Sequence, residues 1–444
     1  MSQGFSSLRG FCVLLSSILL LAGFAFASKE KIVLSFNATD GMTPLSGFVA
    51  DKKGNLYGVT SIGGNGDCPD YGGQGCGTVF ELTPPAQEGG AWTETVLYNF
   101  QGGADGDELV GGLILDESGN LYGVTELGGG GSCTYGCGTV FELSPPAVKG
   151  DAWTKSTLYI FQGGTKDGSY PEGTLLFDRL GNLYGTTFYG GSLNCAGYGC
   201  GSVFELSPQS GGKWRETVLH IFEGNDNGDA SNPGFNLLLD AAGNLYGAAG
   251  FGGANSEGAV FELSPPAKQG EAWTESVIYS FIGAPDGSSP SGNLTSGANG
   301  VFYGVTSGWG PAGYGTVYEL APPAESVGQW TVTVLFSFDL GADGGNPSGM
   351  LALGEKGDLF GTTAVGGDYS CASLFDDGCG IAYKLTPGTT GGFWKQTILH
   401  SFTGGDDGIQ PESGLFLGKF GLLYGTAELG GSSGAGVVFS AGNP

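Results

Sequence analysis

Gly54-Asn55-Leu56-Tyr57-Gly58 is the stretch that decides the fold, because it returns along the chain with near-constant spacing. It recurs intact at Gly119, Gly181 and Gly243 and in altered form as GVFYG at Gly300, GDLFG at Gly357 and GLLYG at Gly421, at intervals of 57 to 65 residues. A period of this length holds four ordinary strands with their connections, the content of one propeller blade rather than one rung of a β-helix. Around each copy the order is fixed. An apolar strand such as Gly112-Leu113-Ile114-Leu115 precedes the tight Asp116-Glu117-Ser118-Gly119-Asn120 turn and the strand from Leu121 to Thr125. A variable glycine-rich loop follows, then the strand from Gly138 to Leu143, an SPPA-type loop and an aromatic strand from Trp153 to Phe161. Six of the seven tryptophans open that last strand (Trp92, Trp153, Trp214, Trp273, Trp330 and Trp394), which marks them as packing residues.

The register at the two ends predicts closure. The seventh unit, from Pro411, has three strands and stops at Gly436 to Ser440, while Lys31-Ile32-Val33-Leu34-Ser35-Phe36 is a fourth strand lacking the other three. Pairing the fragments removes two open sheet edges. The expectation is an all-β, seven-bladed propeller, a single domain over residues 28–444. Residues 1–27 read as an export signal: Arg9 in a polar start, an apolar run from Phe11 to Phe24 that is short of the roughly 18 residues of a membrane span, and Ala25-Phe26-Ala27 as cleavage site. Ser28 would then begin a secreted chain.

The formal charge is −27, and loss of Arg9 takes it to −28. A surface this acidic excludes nucleic acid and anionic lipid as partners and favours a soluble monomer. The motifs GNLYGVTxxGG, GTVFELSPPA and the WTETVLYNF-type strand together resemble the Gloeobacter/Verrucomicrobia tandem repeat of secreted bacterial proteins, a resemblance that covers nearly the whole chain beyond the signal. It implies an extracytoplasmic protein and brings no catalytic residues to transfer.

Eight cysteines remain beyond Cys12, in four close pairs: Cys68/Cys76, Cys133/Cys137, Cys195/Cys200 and Cys371/Cys379. Each pair lies in the loop between the second and third strands, and blades with shorter loops have none, so local disulfides are expected. Zinc spacing is absent. His220 and His400 take the place of the tyrosines Tyr98, Tyr159 and Tyr279 and read as structural. Gly430-Gly431-Ser432-Ser433-Gly434 matches GxSxG without a strand-to-helix elbow, and Glu81, Glu142, Glu205, Glu262 and Glu319 repeat at one position of the third strand, so neither identifies a catalytic group.

Asp-Gly or Asn-Gly marks each connection between blades, at Asp40, Asp105, Asp167, Asn227, Asp286, Asp343 and Asp407, as an Asx-type turn. Calcium is the rival use of these oxygen ligands, at Asp105, Asp107, Asp226 and Asp229; no other cofactor is expected. Chain direction places these connections and the cysteine loops on one face. That face carries Tyr71, Tyr135, Tyr198, Trp309, Tyr314, Tyr369 and Phe375, which the repeat does not require and which suit stacking on a glycan, a peptide or a surface polymer. The expected function is non-enzymatic extracellular binding or scaffolding. The alternative is a propeller hydrolase or lyase acting on polysaccharide through unrepeated acids such as Asp70, Asp376 and Asp377.

Overall fold

In the computed structural model, the described residues are 30–68, 73–224, 228–268, 270–324, 328–371, 377–388 and 394–442. They form seven four-stranded antiparallel sheets in a ring, a seven-bladed β-propeller. Blade 1 contains Val49–Ala50, Leu56–Thr60, Thr78–Thr83 and Thr93–Asn99, from the axis outwards, and blades 2 to 6 repeat the arrangement. Blade 7 is assembled from Phe416–Leu417, Leu423–Ala427 and Val437–Ala441 with Lys31–Ser35 as its outer strand. Lys31 lies opposite Ser440 and Ser35 opposite Val437, which is the closure expected from the sequence.

The inner strands are shorter than their apolar patterns predict, two residues in most blades. The reason lies just upstream, in a five-residue glycine-containing segment that lines the axis, Pro171 to Leu175 in blade 3 and its counterparts in the other blades. The residue before that segment's first position has a positive φ in every blade: Thr43, Glu108, Tyr170, Asn232, Ser289, Asn346 and Gln410, between 50° and 57°. A left-handed residue followed by proline in six of the seven blades breaks the ladder and bends the chain from the surface turn into the channel wall.

A closed circle of aromatic pairs forms the deepest packing. The last residue of each aromatic strand (Phe36, Phe100, Phe161, Phe222, Phe281, Phe338 and Phe402) is fully buried. Each packs, 5.0–5.3 Å between centroids, on a third-strand ring of the next blade, edge-on to Phe80, Phe141, Phe204, Phe261, Tyr318 and Phe439 and tilted to Tyr383. The tryptophans play a lesser part than their regularity predicts. They are half-buried, and Trp92, Trp273, Trp330 and Trp394 lie against second-strand tyrosines of the preceding blade, Tyr424, Tyr184, Tyr246 and Tyr303. On the face opposite the cysteine loops, the DxxGN turns are held by their aspartates. Asp116 Oδ1 accepts from the backbone of Ser118 and Asn120, and its Oδ2 from the Asn120 amide; Asp51, Asp178 and Asp240 do the same.

All four expected disulfides are present: Cys68–Cys76, Cys133–Cys137, Cys195–Cys200 and Cys371–Cys379, with Cα separations of 5.1–5.8 Å. Each closes a ring of a few residues, worth roughly 2 to 2.6 kcal/mol by loop entropy. The bridges pack beneath the connections leaving their own blades. A side chain at Gly102, Gly163 or Gly224 would meet the cystine sulfurs at 2.7–3.2 Å, and one at Gly404 would meet Cys371. The cysteine loops and inter-blade connections therefore share one face.

Although each pair lies in the loop between the second and third strands, the bridges reach into the core. The second of each pair (Cys76, Cys137, Cys200 and Cys379) is fully buried where the chain re-enters its blade. Cys379 packs into the joint of blades 6 and 7 with Phe402 and Ile409. Its amide donates to the Asp368 carbonyl at 3.2 Å, and its carbonyl accepts from Gln410 N at 3.1 Å, in the turn entering blade 7. Cys379 is thus a core residue as well as half of a loop staple. Pair spacing alone does not show this, because burial comes from the neighbouring blade.

The inter-blade connections share one capping interaction. The aspartate of each turn caps the end of the preceding strand: Asp105 Oδ2 accepts from Gln101 N, Asp167 Oδ2 from Gln162 N, and Asp407 Oδ2 from Thr403 N. In the fourth connection Asp229 does this, accepting from Glu223 N at 2.7 Å, followed by alanine rather than glycine. Asn227, assigned the role from its Asn-Gly pair, lies outside the described residues.

Each capping aspartate faces the second residue of the next aromatic strand, where the sequence varies. Lys155 makes an ion pair with Asp105 at 3.0 Å, and the Gln396 amide donates to the Asp343 carbonyl. Glu94 faces Asp40 and Glu216 faces Asp167, and in both glutamates Oε1 is buried without a hydrogen-bond partner. Burial first, and the facing aspartate second, push the carboxyls of Glu94 and Glu216 up to about 7. A carboxyl that holds its proton more tightly folded than unfolded contributes stability that is whole below its ordinary value and is lost as pH rises through 7. The thermal midpoint should therefore fall between pH 5 and pH 8, and Glu216→Lys, which copies the Lys155 ion pair, should raise it at pH 8 and flatten the dependence. A midpoint that rises over that interval, measured by circular dichroism melts, would contradict this account.

Candidate functional site

Small residues of the axial segments let seven blades approach the axis and leave a narrow well of about 180 Å³. Its wall is tied from blade to blade. Gly112 N donates to Thr174 Oγ1, Thr174 N to Asn236 Oδ1, and Asn236 N to Asn293 Oδ1, each at 2.9 Å. Farther round, Ser291 Oγ donates to the Pro347 carbonyl and Ser348 Oγ to that of Glu412. Two carboxylates, Glu172 and Glu412, line the same well.

Glu172 is the centre of an acidic group with Glu126 and Glu108, and blade 7 repeats part of it with Glu412 and Glu428. Its carboxylate lies over Gly234 of blade 4, where an added Cβ would stand 2.6 Å from Glu172 Oε2 and 3.1 Å from the Phe188 ring. A side chain at that position would displace the Glu172 carboxyl. Burial, then the charges of Glu126 and Glu108, push Glu172 up to about 9, so it is protonated at neutral pH. Glu126 is pushed up to about 7 by burial and then by Glu108. In blade 7, burial and then Glu428 push Glu412 up to about 7.

Tyrosines border the Glu108, Glu126 and Glu172 group. Tyr189 lies 5.6 Å from Tyr170, 4.8 Å from Phe188 and 5.6 Å from Tyr198. The hydroxyls of Tyr170 and Tyr189 are pushed up by burial and by the neighbouring glutamates, Glu126 acting on both. Tyr198 is 68 % exposed and Tyr135 55 % exposed. Each lies inside a small disulfide ring, Cys195–Cys200 and Cys133–Cys137 respectively. Each backbone carbonyl accepts a hydrogen bond from the glycine pair after the second strand, Gly190 N to Tyr198 and Gly128 N to Tyr135. The staples thus fix the backbone that carries two exposed rings beside a set of buried acids.

The remaining sequence candidates divide. Trp309 and Tyr314 are both exposed and are joined by a β-bridge in blade 5, away from the group on blades 2 and 3. Tyr369 is exposed, with its hydroxyl donating to the Leu340 carbonyl. It stands just before the Cys371–Cys379 bridge of blade 6, likewise away from the acidic group. Tyr71 and Phe375 lie outside the described residues, as do Asp70 and Asp376; Asp377 is exposed. Among the calcium candidates, Asp105 is engaged by Lys155, Tyr98 and Gln101. Asp107 is buried in the turn entering blade 2, Asp226 lies outside the described residues, and Asp229 caps its turn as above. His400 meets Asp407 at 3.0 Å much as Tyr159 meets Asp167, in keeping with its tyrosine-like position.

A profile of the Gloeobacter/Verrucomicrobia repeat matches residues 24–197, 66–273 and 267–443. The chain belongs to the Gloeobacter/Verrucomicrobia repeat family. The carboxylate group is therefore a variation on the repeat of this family: Glu126 and Glu428 stand where other blades have Ser61, Phe188, Gly250, Ser307 and Ala364. No curated protein matched the sequence. Among solved structures, the chain is similar to a Bacteroides uniformis ATCC 8492 protein named by inference as a 6-phosphogluconolactonase, with 14 % identity, 79 % and 84 % of the two chains covered and a TM-score of 0.49. It is also similar to a polysaccharide lyase of family PL25, an ulvan lyase, with 11 % identity, 91 % and 94 % covered and a TM-score of 0.47. A third is Trypanosoma rangeli sialidase in complex with sialic acid, with 11 % identity, 93 % and 58 % covered and a TM-score of 0.42.

Proposed function

We propose that this member of the Gloeobacter/Verrucomicrobia repeat family is an extracellular, non-enzymatic binding propeller for a glycan or surface polymer. The observation that carries the reading is the presentation of Tyr135 and Tyr198 on disulfide rings next to the Glu108, Glu126 and Glu172 group. A loop already fixed before contact loses little backbone freedom on binding, and a flat aromatic surface stacks on the apolar face of a sugar. Protonated Glu172 adds a hydrogen-bond donor for hydroxyl groups. The four disulfides fit an oxidising compartment, and no helix among the described residues is long and apolar enough to cross a membrane.

A panel of bacterial and algal polysaccharides, screened by calorimetry and by product analysis, tests this reading. At least one should bind without being degraded. The double substitution Tyr135→Ala/Tyr198→Ala should weaken that binding about tenfold or more and leave the thermal midpoint nearly unchanged, while Trp309→Ala should have the smaller effect. Binding that survives the double substitution removes the face assignment. A second reading, hydrolysis or elimination on a polysaccharide, rests on the spread of carboxyl values from Glu172 at about 9 to Glu126 at about 7. Release of oligosaccharides, abolished by Glu172→Gln, would establish it in place of the first.

A further inference from the structure

The joint between blades 3 and 4 brings together three side chains that each hold a buried polar atom without a hydrogen-bond partner while both carboxyls are ionised: His220 Nε2, Asp229 Oδ1 and Glu275 Oε1; a proton on Glu275 would be shared with Asp229, and an ion would take its place. They come from three segments, the outer strands of blades 3 and 4 and the turn between them. One ligand atom from each residue lies within 4.8 Å of the other two, and His220 Nε2 is 4.0 Å from Asp229 Oδ1, too far for a hydrogen bond. The matching positions elsewhere differ. Tyr159 donates to Asp167 at 3.0 Å and Tyr279 to Asp286 at 2.6 Å, and Lys155 neutralises Asp105. Glu94 and Glu216 leave a carboxylate oxygen unpaired beside their aspartates, as Glu275 does, but no imidazole nitrogen stands unpaired with them. The other histidine, His400, bonds directly to Asp407.

We propose that His220, Asp229 and Glu275 form a binding site for a divalent cation of the zinc class. One imidazole nitrogen and two carboxylate oxygens are a borderline donor set, suited to zinc more than to calcium, which takes six or more oxygens. Metal bonds of about 2.0–2.2 Å set donor atoms roughly 3.3–3.6 Å apart, so closing on an ion requires shifts of about half an ångström to one ångström. Asp229 is already fixed by its other oxygen, which accepts from Glu223 N at 2.7 Å. The site opens on a groove lined by Ile221, Glu223, Gly228, Ser276 and Val277, which gives an ion access from solvent and a place for water as the fourth ligand. Binding would cross-link adjacent blades on the side of the ring away from the axial well. This site is independent of the glycan reading, since none of its residues belongs to the Glu172 group.

The test uses the full chain, freed of metal with a chelator and titrated with zinc chloride. The chain has only two histidines, so the two imidazole signals in a carbon-correlated NMR spectrum report each site separately. One equivalent of zinc should bind by calorimetry, shift one imidazole signal and raise the thermal midpoint. His220→Tyr installs the residue used at other joints and should abolish the binding and remove the shifting signal; His400→Tyr should leave both. Glu275→Gln, which keeps the shape of the side chain, should weaken binding at least tenfold, and serves if His220→Tyr does not fold. Absence of zinc binding, binding undiminished by His220→Tyr and Glu275→Gln, a shift confined to the His400 signal, or preference for calcium over zinc would each overturn the assignment.

Discussion

Deleting residues 30–36 should lower the thermal midpoint more than any single substitution and should drive the protein into dimers and larger species, as followed by melting curves and light scattering. The deleted strand pairs with Val437–Ala441 along its length, so its loss bares an apolar edge of buried residues to neighbouring molecules. It also removes Phe36, the ring that completes the aromatic circle by packing on Phe80 at 5.1 Å. Lys31 adds a tie to blade 1, its ammonium donating to the carbonyls of Gly89 and Gly90. Phe36→Ala alone should cost about 3–5 kcal/mol as a large buried aromatic truncated in the core. A synthetic peptide with the sequence of residues 30–36 should restore part of the lost stability to the deletion variant. A deletion that leaves melting and solubility unchanged would mean that the ring is held shut by something other than this strand.

The second large effect is expected inside the ring. Phe161→Ala should destabilise the protein by about 3–5 kcal/mol, because Phe161 is fully buried and sits edge-on to Phe204 across the joint of blades 2 and 3 at 5.1 Å. Trp153→Ala, eight residues earlier on the same strand, should cost less, since the indole is half-buried at the outer rim. Chemical denaturation of both variants decides the order. If Trp153→Ala proves the more damaging, the outer rim rather than the aromatic circle carries the joint.

The contrast between these two residues shows how far the sequence can be read. Regular spacing reveals that a residue belongs to the repeat, which is why the tryptophans stand out, but it does not rank depth. Phe161 and Trp153 recur equally and differ in burial because one ends its strand at the joint and the other begins it at the rim. The strand order, the closure and the disulfide pairing are legible since each follows from register or from loop position. The depth of the bridges is not, and Cys379 is buried by side chains of the next blade. Nor is the acidic group legible. Glu126 and Glu172 are far apart in the chain and meet only when blades 2 and 3 curve round the axis, whereas the repeated glutamates of the third strand and the loop acids are conspicuous in the sequence. A signal exists in the departures from the repeat after the second strand, where glutamate appears in blades 2 and 7 alone. The histidines are legible as substitutes for tyrosine, but only the fold shows that His220 stands 4.0 Å from its aspartate where the tyrosines form bonds.

The antiparallel closure of blade 7 has a mechanical side. Because Lys31 lies opposite Ser440 and Ser35 opposite Val437, both ends of the chain leave the sheet at the same end of the strand pair. Tension applied to the two ends therefore loads these hydrogen bonds one after another, like a zipper, instead of shearing them all together. Such a joint yields at low force. A propeller tethered at both termini would open at blade 7 first, with the six intact blades left as a folded arc, and single-molecule pulling should record a small early extension well before the remaining blades give way.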